Sequence, residues 1–442
     1  MKKKTNISAI YKGKGSKKDP SNYRPISVLP ILARVFEKIM ARQFSNFNTE
    51  NQNLPNEQYG FRNNSGCETL LISAINSWYD SIDNGKFTGA LLIDLSKAFD
   101  NVPHQKLLLE LSKMGIGIKA GLWFKNYLEN RFQRVKINKD LAAWKRVTKS
   151  VPQGGGLSPE MFNSYMRDLP KEAESETYQF ADDITHSESD TSIQVVEEKL
   201  IKAFMKTKKF CEEHDLTINT KKTQLIIFKA PRKRIPVDLE INLDGTLIKP
   251  QSNVKLLGVT LDQNLAFNKQ IEGVINKCNS SLAMISRAAS KLPKELLKMA
   301  YIGLVRSHME YASSIYMTVA KRHLEKLDRI QKKAVRLICH APRNSHAAPL
   351  MEELKLETLE KRRKDHILKI VDNIIERKCH PALMNMFQEN KENDLLEIKT
   401  TKTVHGKKRF CITGAIAYNE DNAITKNNKK IERLEQRKKD RP

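Results

Sequence analysis

Two adjacent aspartates, Asp182 and Asp183, lie inside the apolar, β-prone stretch YQFADDIT at residues 178–185. A buried strand would favour Val or Ile here, because two carboxylates so close together repel each other and lose hydration when the site is partly closed. The chain must therefore fold so that this pair either surrounds a strong positive charge or lies in a solvated turn.

A third carboxylate, Asp94, ends a predicted buried strand at 89–93. Neighbouring side chains of a strand point to opposite faces, but at the bend of a hairpin two consecutive carboxylates can approach one site. Together with Asp94 from an adjacent strand, they would carry enough negative charge for two divalent cations, and such oxygen ligands suit Mg²⁺. Two ions about 3.5–4 Å apart would stabilise both oxygens of an in-line phosphoryl transfer. The alternative is that Asp182 and Asp183 form an Asx-rich turn and Asp94 caps a helix.

The charge balance of the 442-residue chain indicates an anionic partner. Its 77 Lys and Arg outnumber 51 Asp and Glu, which gives a formal net charge of +26. A polyanion is the natural partner of that charge. An acidic membrane surface is the rival, but the sequence has neither a signal peptide nor an apolar run of about 18 residues, and we predict no membrane partner. Six cysteines are too few for a disulfide framework, so we expect an intracellular protein of the cytoplasm and nucleus that is not secreted.

The secondary-structure pattern changes near residue 265. Strand and helix patterns alternate before it, and only helical patterns follow, as far as about 390. Ser158 is expected to cap a helix that has Pro159 in its first turn. The segment after 390 is basic and has little periodicity, which predicts a loose arm.

Seven motifs resemble those of the reverse transcriptases of non-LTR retrotransposons, and they cover residues from about 10 to 260. In chain order they are NYRPISVLP, EQYGFRNNSGCETL, LLIDLSKAFDNVPH, VPQGGGLSPEMFN, YQFADDIT, LTINTKKTQLIIF and VKLLGVTLD. The later stretches LVRSHMEYASSIY and LDRIQKKAVRLI resemble the Jockey-like elements and extend the similarity to about residue 385.

This resemblance implies an α+β right-hand polymerase, with fingers and a palm built on an antiparallel sheet, followed by an all-α thumb and a C-terminal helical region. The expected divisions are fingers and the N-terminal part of the domain at 1–88, palm with the catalytic site at 89–262, helical thumb at 263–345, C-terminal helical region at 346–390, and a basic, flexible tail at 391–442.

The family's reaction is the attack of a primer 3′-hydroxyl on the α-phosphate of a dNTP, with pyrophosphate leaving. The implied cofactors are two Mg²⁺ ions, for which Mn²⁺ could substitute, and the implied partners are an RNA template, a DNA primer or target, and dNTPs. By motif match, the metal ligands are Asp94, Asp182 and Asp183; the proton donor to pyrophosphate is Lys222; and the dNTP-binding residues are Lys12, Arg24, Arg62, Phe99, Gln153 and Gly154.

Several of these residues have an ordinary structural alternative. Phe99 matches the aromatic residue that excludes ribonucleotides, but it could equally be a core phenylalanine. Single basic residues such as Lys12 and Arg24 are more often solvated surface charges, and Lys221 could be mistaken for Lys222.

Three departures from the family pattern weaken the expected activity. Gly155 and Gly156 stand where Ser and a bulky apolar residue are usual, and Glu160 replaces an apolar residue. The chain also starts almost at the first fingers motif, so we expect a truncated element copy or a fragment that lacks the upstream endonuclease and cannot nick DNA by itself. A decayed or co-opted copy that only binds RNA or DNA is therefore the alternative function. A viral RNA polymerase would share the acidic site, but Phe99 speaks against it.

Overall fold

Strands and helices alternate through the first 262 residues of the chain. The computed structural model describes residues 4–13, 15–316, 319–390 and 395–439, with the backbone alone at 425–439. The elements of this first part are β1 (Lys4–Tyr11), β2 (Tyr23–Val28), α1 (Ile31–Glu50), α2 (Cys67–Asp83), β3 (Phe87–Ile93), α3 (Ala98–Asn101), α4 (His104–Lys113), α5 (Ile118–Leu128), β4 (Arg131–Ile137), β5 (Asp140–Leu141), β6 (Lys145–Val147), α6 (Ser158–Tyr165), α7 (Leu169–Ala173), β7 (Glu176–Phe180), β8 (Asp183–Asp190), α8 (Ile193–Glu213), β9 (Gln224–Phe228), β10 (Ile241–Leu243), β11 (Thr246–Ile248), β12 (Asn253–Leu256) and β13 (Val259–Asp262).

Helices dominate the rest of the chain, as the pattern change near residue 265 predicted. They are α9 (Asn268–Ala288), α10 (Lys294–Tyr301), α11 (Ser307–Glu310), α12 (Lys321–Ile338), α13 (Ala347–Glu353), α14 (Leu359–Ile375) and, after the short strands β14 (Glu389–Asn390) and β15 (Leu395–Leu396), α15 (Phe410–Lys439). Within the described ranges, no helix is long and apolar enough to cross a membrane.

The aspartates singled out in the sequence lie in or beside a four-stranded antiparallel sheet, which has the strand order β7-β8-β3-β9. Both of its faces are covered, which explains the unbroken apolar run in β3. Ala90 faces a core shared with α2 and the helices α9 to α14, whereas Leu91 and Ile93 face a second core formed with α6 and α8. The period of two along a strand assigns alternate residues to the two cores.

A second sheet joins segments that the expected domain divisions had separated. β1 pairs with β2 antiparallel and with β4 parallel, and β5 and β6 both pair with β4. The segment 131–147 therefore belongs to the same sheet as the N-terminal strands, although the divisions implied by the resemblance placed it at 89–262. A boundary drawn along the chain cannot show a strand that returns to an earlier sheet.

The C-terminal segment differs from the predicted flexible tail over residues 395–424. α15 buries Phe410, Ala415 and Ala417 in the core that also contains α2 and α14. Before it, Lys402 and Thr403 donate backbone hydrogen bonds to the carboxylate of Asp83 at the end of α2. The packing was not predictable from local periodicity, because one of the partners of this segment, Asp83, lies more than 300 residues earlier in the chain.

Candidate active site

The two adjacent aspartates lie at the bend of a hairpin, as their sequence context predicted. Phe180 pairs with Asp183, so Ala181 and Asp182 form a two-residue connection between β7 and β8. Ala181 has φ +57°, in the left-handed region that a non-glycine residue seldom adopts. Consecutive carboxylates can therefore approach one site, because the turn interrupts the alternation of a regular strand.

Asp94 joins these two carboxylates through the pairing of the central sheet. Ile93 pairs with Ile184, so Asp94, one residue further, is brought beside Asp183. Burial, and then the negative charges of Asp182 and Asp94, together raise the pKa of Asp183 to about 6. Burial and then Asp94 also raise the pKa of Asp182. The three carboxylates therefore repel one another in a site where burial limits their hydration.

Two cations face this acidic site. The Lys222 Nζ lies 3.3 Å from Asp94 Oδ2 and forms an ion pair with it. A backbone hydrogen bond of 2.8 Å from Asn219 to the Asp94 carbonyl holds the turn that carries Lys222 beside the strand end. Arg24, on β2, lowers the pKa of Asp182 by its positive charge, against the larger effect of burial. The predicted residues Lys222 and Arg24 are thus brought to the carboxylates.

The donor chemistry of the acidic site fits a hard divalent cation. All side-chain donors are carboxylate oxygens, which Mg²⁺ and Mn²⁺ prefer over nitrogen and sulfur. Across the described residues, however, no three acidic, His or Cys side chains converge closely enough to form a ready cage. The residues fit the ion by charge and ligand type. Mutual repulsion keeps the three carboxylate groups apart.

A glycine-rich loop at residues 152–157 lies between β2 and the start of α3. The Gln153 carbonyl accepts a 2.8 Å hydrogen bond from the Ser27 amide, and the Gln153 side chain donates one of 2.8 Å to Asp100. Gly154 has φ +96°, and a Cβ there would lie 3.2 Å from Ile26 Cγ2. Glycine is therefore required at this position both by the backbone and by the neighbouring strand.

The helix after this loop begins differently from the prediction. Leu157, rather than Ser158, is the capping residue of α6, and no side chain caps the helix. The predicted Ser158 cap is therefore wrong, because Ser158 already has helical geometry as the first residue of α6. Pro159 does lie in the first turn, where its missing N–H costs no hydrogen bond.

Phe99 has one packed face and one accessible part, which is compatible with both roles that the sequence left open. Its ring stacks on Phe162 with centroids 4.5 Å apart and planes at 17°, so one face is packed against α6. The residue is only half-buried, so part of the ring stays accessible. It lies five residues after Asp94 and directly before Asp100, whose carboxylate accepts the hydrogen bond from Gln153 of the glycine-rich loop.

Lys12 and Arg62 make structural contacts away from the carboxylates. Lys12 Nζ donates a 2.8 Å hydrogen bond to the Ser21 carbonyl within the β1–β2 hairpin. Arg62 donates one of 2.7 Å to the Pro55 carbonyl, and burial lowers its pKa while Glu160 opposes that change. Glu160, the unusual acidic residue, is buried and its pKa is raised by that burial. The structure does not bring Arg62 to the acidic site.

A buried support for the hairpin was not identified from the sequence. Gln58 Oε1 accepts hydrogen bonds from the Gly60 amide at 2.9 Å and the Ala181 amide at 3.2 Å. The Gln58 carbonyl lies 3.0 Å from His380 Nε2, which connects the C-terminal helical region to the same turn. The motif EQYGF contains Gln58, but only the tertiary pairing of this loop with Gln179 reveals its function.

Comparison with known proteins identifies the class of this polymerase-like site. The chain belongs to the reverse transcriptase (RNA-dependent DNA polymerase) family, whose family model matches residues 15–261. This confirms the resemblance inferred from the seven motifs and the α+β right-hand polymerase fold that it implied.

Relatives from mobile elements match beyond that family region. A probable RNA-directed DNA polymerase from transposon BS of Drosophila melanogaster is 26% identical over 390 residues, covering 85% of this chain and 42% of the relative. The RNA-directed DNA polymerase from mobile element jockey of the same fly is 25% identical over 370 residues, covering 81% and 40%. The chain thus spans about two fifths of the length of these relatives.

Among solved structures, an apo telomerase from Candida tropicalis aligns with a TM-score of 0.45 at 12% identity. The alignment covers 86% of this chain and 64% of the telomerase chain. So loose a likeness carries no argument, and the fold assignment depends on the family match and the sheet topology.

Proposed function

We propose that this chain is an RNA-directed DNA polymerase that extends a primer 3′-hydroxyl with dNTPs on an RNA template. The observation that carries the proposal is the acidic site of Asp94, Asp182 and Asp183, formed where β3 ends beside the β7–β8 turn. Three carboxylates from paired strands, with raised pKa values at two of them, fit the binding of cations that neutralise phosphate.

Two Mg²⁺ ions are the proposed cofactors, and Mn²⁺ could take their place. The same three carboxylates would hold them, and the remaining ligands would come from water and the substrate phosphates. When bound, the ions would supply charge stabilisation to the attacking and leaving oxygens. The protein's own contribution is to hold the three carboxylates at the neighbouring ends of paired strands.

The basic and polar residues around the acidic site would bind and orient the nucleotide. Arg24, with Lys12 directly after the paired strand β1, would face the triphosphate, and Lys222 would protonate the leaving pyrophosphate. Gln153 and Gly154 would contact the nucleotide and template base, and Phe99 would exclude a ribose 2′-hydroxyl. Arg62 retains only a weaker, indirect role, since its guanidinium is engaged in its own loop.

The proposed partners are an RNA template, a DNA primer or target, and dNTPs. The positive net charge of +26 suits the phosphate backbones of both nucleic acids. All six cysteines are free, which fits the proposed intracellular location in cytoplasm and nucleus.

The decisive experiment compares dNTP incorporation on a primed RNA template with Mg²⁺ between the wild type and Asp182→Asn. We expect incorporation by the wild type and background values for the variant, because the substitution removes one of the carboxylate charges. Asp238→Asn is the matched control, since Asp238 is exposed and follows the far end of β9. Equal incorporation by wild type and Asp182→Asn would refute the assignment.

The same assay separates the alternative function. No incorporation by any variant, together with RNA binding that weakens steeply as salt rises, would identify a copy that only holds nucleic acid.

A further inference from the structure

A third contact holds the glycine-rich loop at 152–157, and this contact has no part in the proposed reaction. Besides its contacts with Ser27 and Asp100, the loop donates the Gly156 amide to Glu37 Oε2 at 3.0 Å. Glu37 lies on α1, more than 110 residues earlier in the chain. A single carboxylate of the fingers thus reaches the backbone of the loop that carries Gln153 and Gly154.

Glu37 is fully buried, which is unusual for a glutamate. Its relative accessible area is 0%, and its other oxygen, Oε1, accepts a 2.6 Å hydrogen bond from the Tyr127 hydroxyl. Burial and the adjacent Glu37 carboxylate raise the pKa of Tyr127, which keeps this hydroxyl protonated and able to donate. A buried carboxylate is costly unless its oxygens are satisfied by hydrogen bonds, and here each oxygen has one neutral donor.

Gly155 is the steric counterpart of this carboxylate. A Cβ at position 155 would lie 2.8 Å from Glu37 Oε2, which is closer than any ordinary contact, and 3.1 Å from the Ser158 hydroxyl. At position 156 the nearest atoms would be 3.9 Å away, so side-chain space does not explain that glycine. The carboxylate therefore explains the glycine at 155, which leaves room for it, whereas position 156 supplies only a backbone amide, and nothing in the structure explains a glycine there.

We propose that Glu37 is a positioning residue that fixes the glycine-rich loop for nucleotide binding, and that Gly155 is its obligatory partner. The inference depends on the proposed polymerase function for its effect on dNTPs, whereas the anchoring itself is independent of it. In this arrangement the double glycine does not loosen the loop. The hydrogen bond from Gly156 to a buried carboxylate replaces the ordering that bulkier side chains would provide.

The first test is the kinetics of Glu37→Ala and Glu37→Gln. Loss of the carboxylate removes a hydrogen bond to a charged group, so Glu37→Ala should raise the KM for dNTPs about tenfold. The affinity for primed RNA should stay within about twofold of wild type, because no phosphate contact is lost. Glu37→Gln should restore the KM, since its amide can accept from Gly156 and donate to Tyr127. Equal losses of dNTP and RNA binding in Glu37→Ala would overturn the inference.

The second test measures anchoring without activity. Hydrogen exchange of the 152–157 backbone should rise about tenfold in Glu37→Ala and stay near the wild-type value in Glu37→Gln. Gly155→Ala should lower the urea midpoint in the wild-type background and should cost much less in Glu37→Ala, where the space is open. Gly273→Ala, on α9 with no atom within 4 Å of the added Cβ, is the matched control. A Gly155→Ala cost that is equal in both backgrounds would refute the pairing.

The two proposals fail in different ways. A wild type without dNTP incorporation would reject the polymerase function, and with it the nucleotide role of the loop. Exchange and urea data would still decide whether Glu37 anchors the loop. Normal incorporation with unchanged exchange in Glu37→Ala would reject the anchor alone.

Discussion

At the scale of single residues, the acidic site shows how neighbours decide what a side chain can do. Phe99 has one ring face on Phe162 and part of its surface free, so packing and substrate exclusion are compatible in one residue. Lys222 is exposed, and its ion pair with Asp94 contributes at most about 1 kcal/mol to stability. Both residues can therefore be tested through activity without unfolding the protein.

The substitution Phe99→Ala should allow ribonucleotides to be incorporated. We expect discrimination between dNTPs and rNTPs to fall on the order of 10²-fold, because the atoms that would contact the 2′-hydroxyl are removed. Loss of the stacked, half-buried ring should cost about 2 kcal/mol of unfolding free energy. The measurements are single-nucleotide incorporation with each substrate and urea unfolding. Phe387→Ala, a half-buried phenylalanine of the C-terminal region, should leave discrimination unchanged.

Lys222 and its neighbour give a matched pair for the proton donor. Lys222→Ala should slow nucleotide incorporation on the order of 10²-fold, as expected for loss of a general acid. Lys221→Ala removes the same charge from the next residue and should change the rate less than about twofold. Single-turnover rates for the two variants would decide the assignment, and a larger defect in Lys221→Ala would reverse it.

At the scale of elements, the β7–β8 hairpin depends on the EQYGF loop, which lies outside the strands of its sheet. Gln58 is 1% exposed, and its side-chain oxygen accepts from amides on both sides of the loop–turn contact. Ala181 keeps a left-handed backbone, which costs roughly 1–2 kcal/mol and persists only where surrounding contacts hold it. The aspartates are thus positioned by the EQYGF loop as well as by strand pairing.

Removing this support should weaken the site without touching its carboxylates. Gln58→Ala leaves the Gly60 and Ala181 amides buried without an acceptor, and we expect a loss of about 2–4 kcal/mol in unfolding free energy. Urea unfolding measures the loss, and nucleotide incorporation should fall with it because Asp182 follows the loosened turn. Gln105→Ala, on the exposed face of α4, should change neither quantity measurably.

At the scale of the whole molecule, buried histidines connect distant parts of the chain. His186 lies between two threonines, with its Nδ1 3.0 Å from Thr177 Oγ1 and its Nε2 2.7 Å from Thr207 Oγ1. It thereby connects the central sheet to α8. His380 stacks on Tyr59 with ring centroids 4.3 Å apart and connects the C-terminal region to the EQYGF loop. Neither histidine is exposed to solvent, and burial lowers the pKa of each to about 4.

These two groups make the fold sensitive to acid. Their pKa in the unfolded chain is about 6.5, so between pH 6.5 and 4 the unfolded state binds more protons than the native state. Stability is therefore fully present above about pH 6.5 and falls as the pH drops towards 4, by about 2 kcal/mol for each histidine at pH 5. Urea unfolding at pH 7 and pH 5 should show this decrease, and His186→Gln should make the pH dependence shallower. An unchanged slope would exclude His186 as a cause.

Local chemistry in the sequence determined the strand at Asp94, the hairpin at Asp182 and Asp183, the change to helices near 265 and the reverse transcriptase motifs. Each depends on neighbours a few residues away, through apolar periodicity, turn residues and charge. Only the tertiary structure decided that 131–147 joins the first sheet, that 395–424 packs on α2, that Gln58 supports the turn, and that Arg62 stays in its own loop. The role of Gly155 belongs to the same group, because its partner Glu37 lies on a distant helix. Contacts across hundreds of residues leave no periodic signal, since they form only when the chain has folded and buried both partners together.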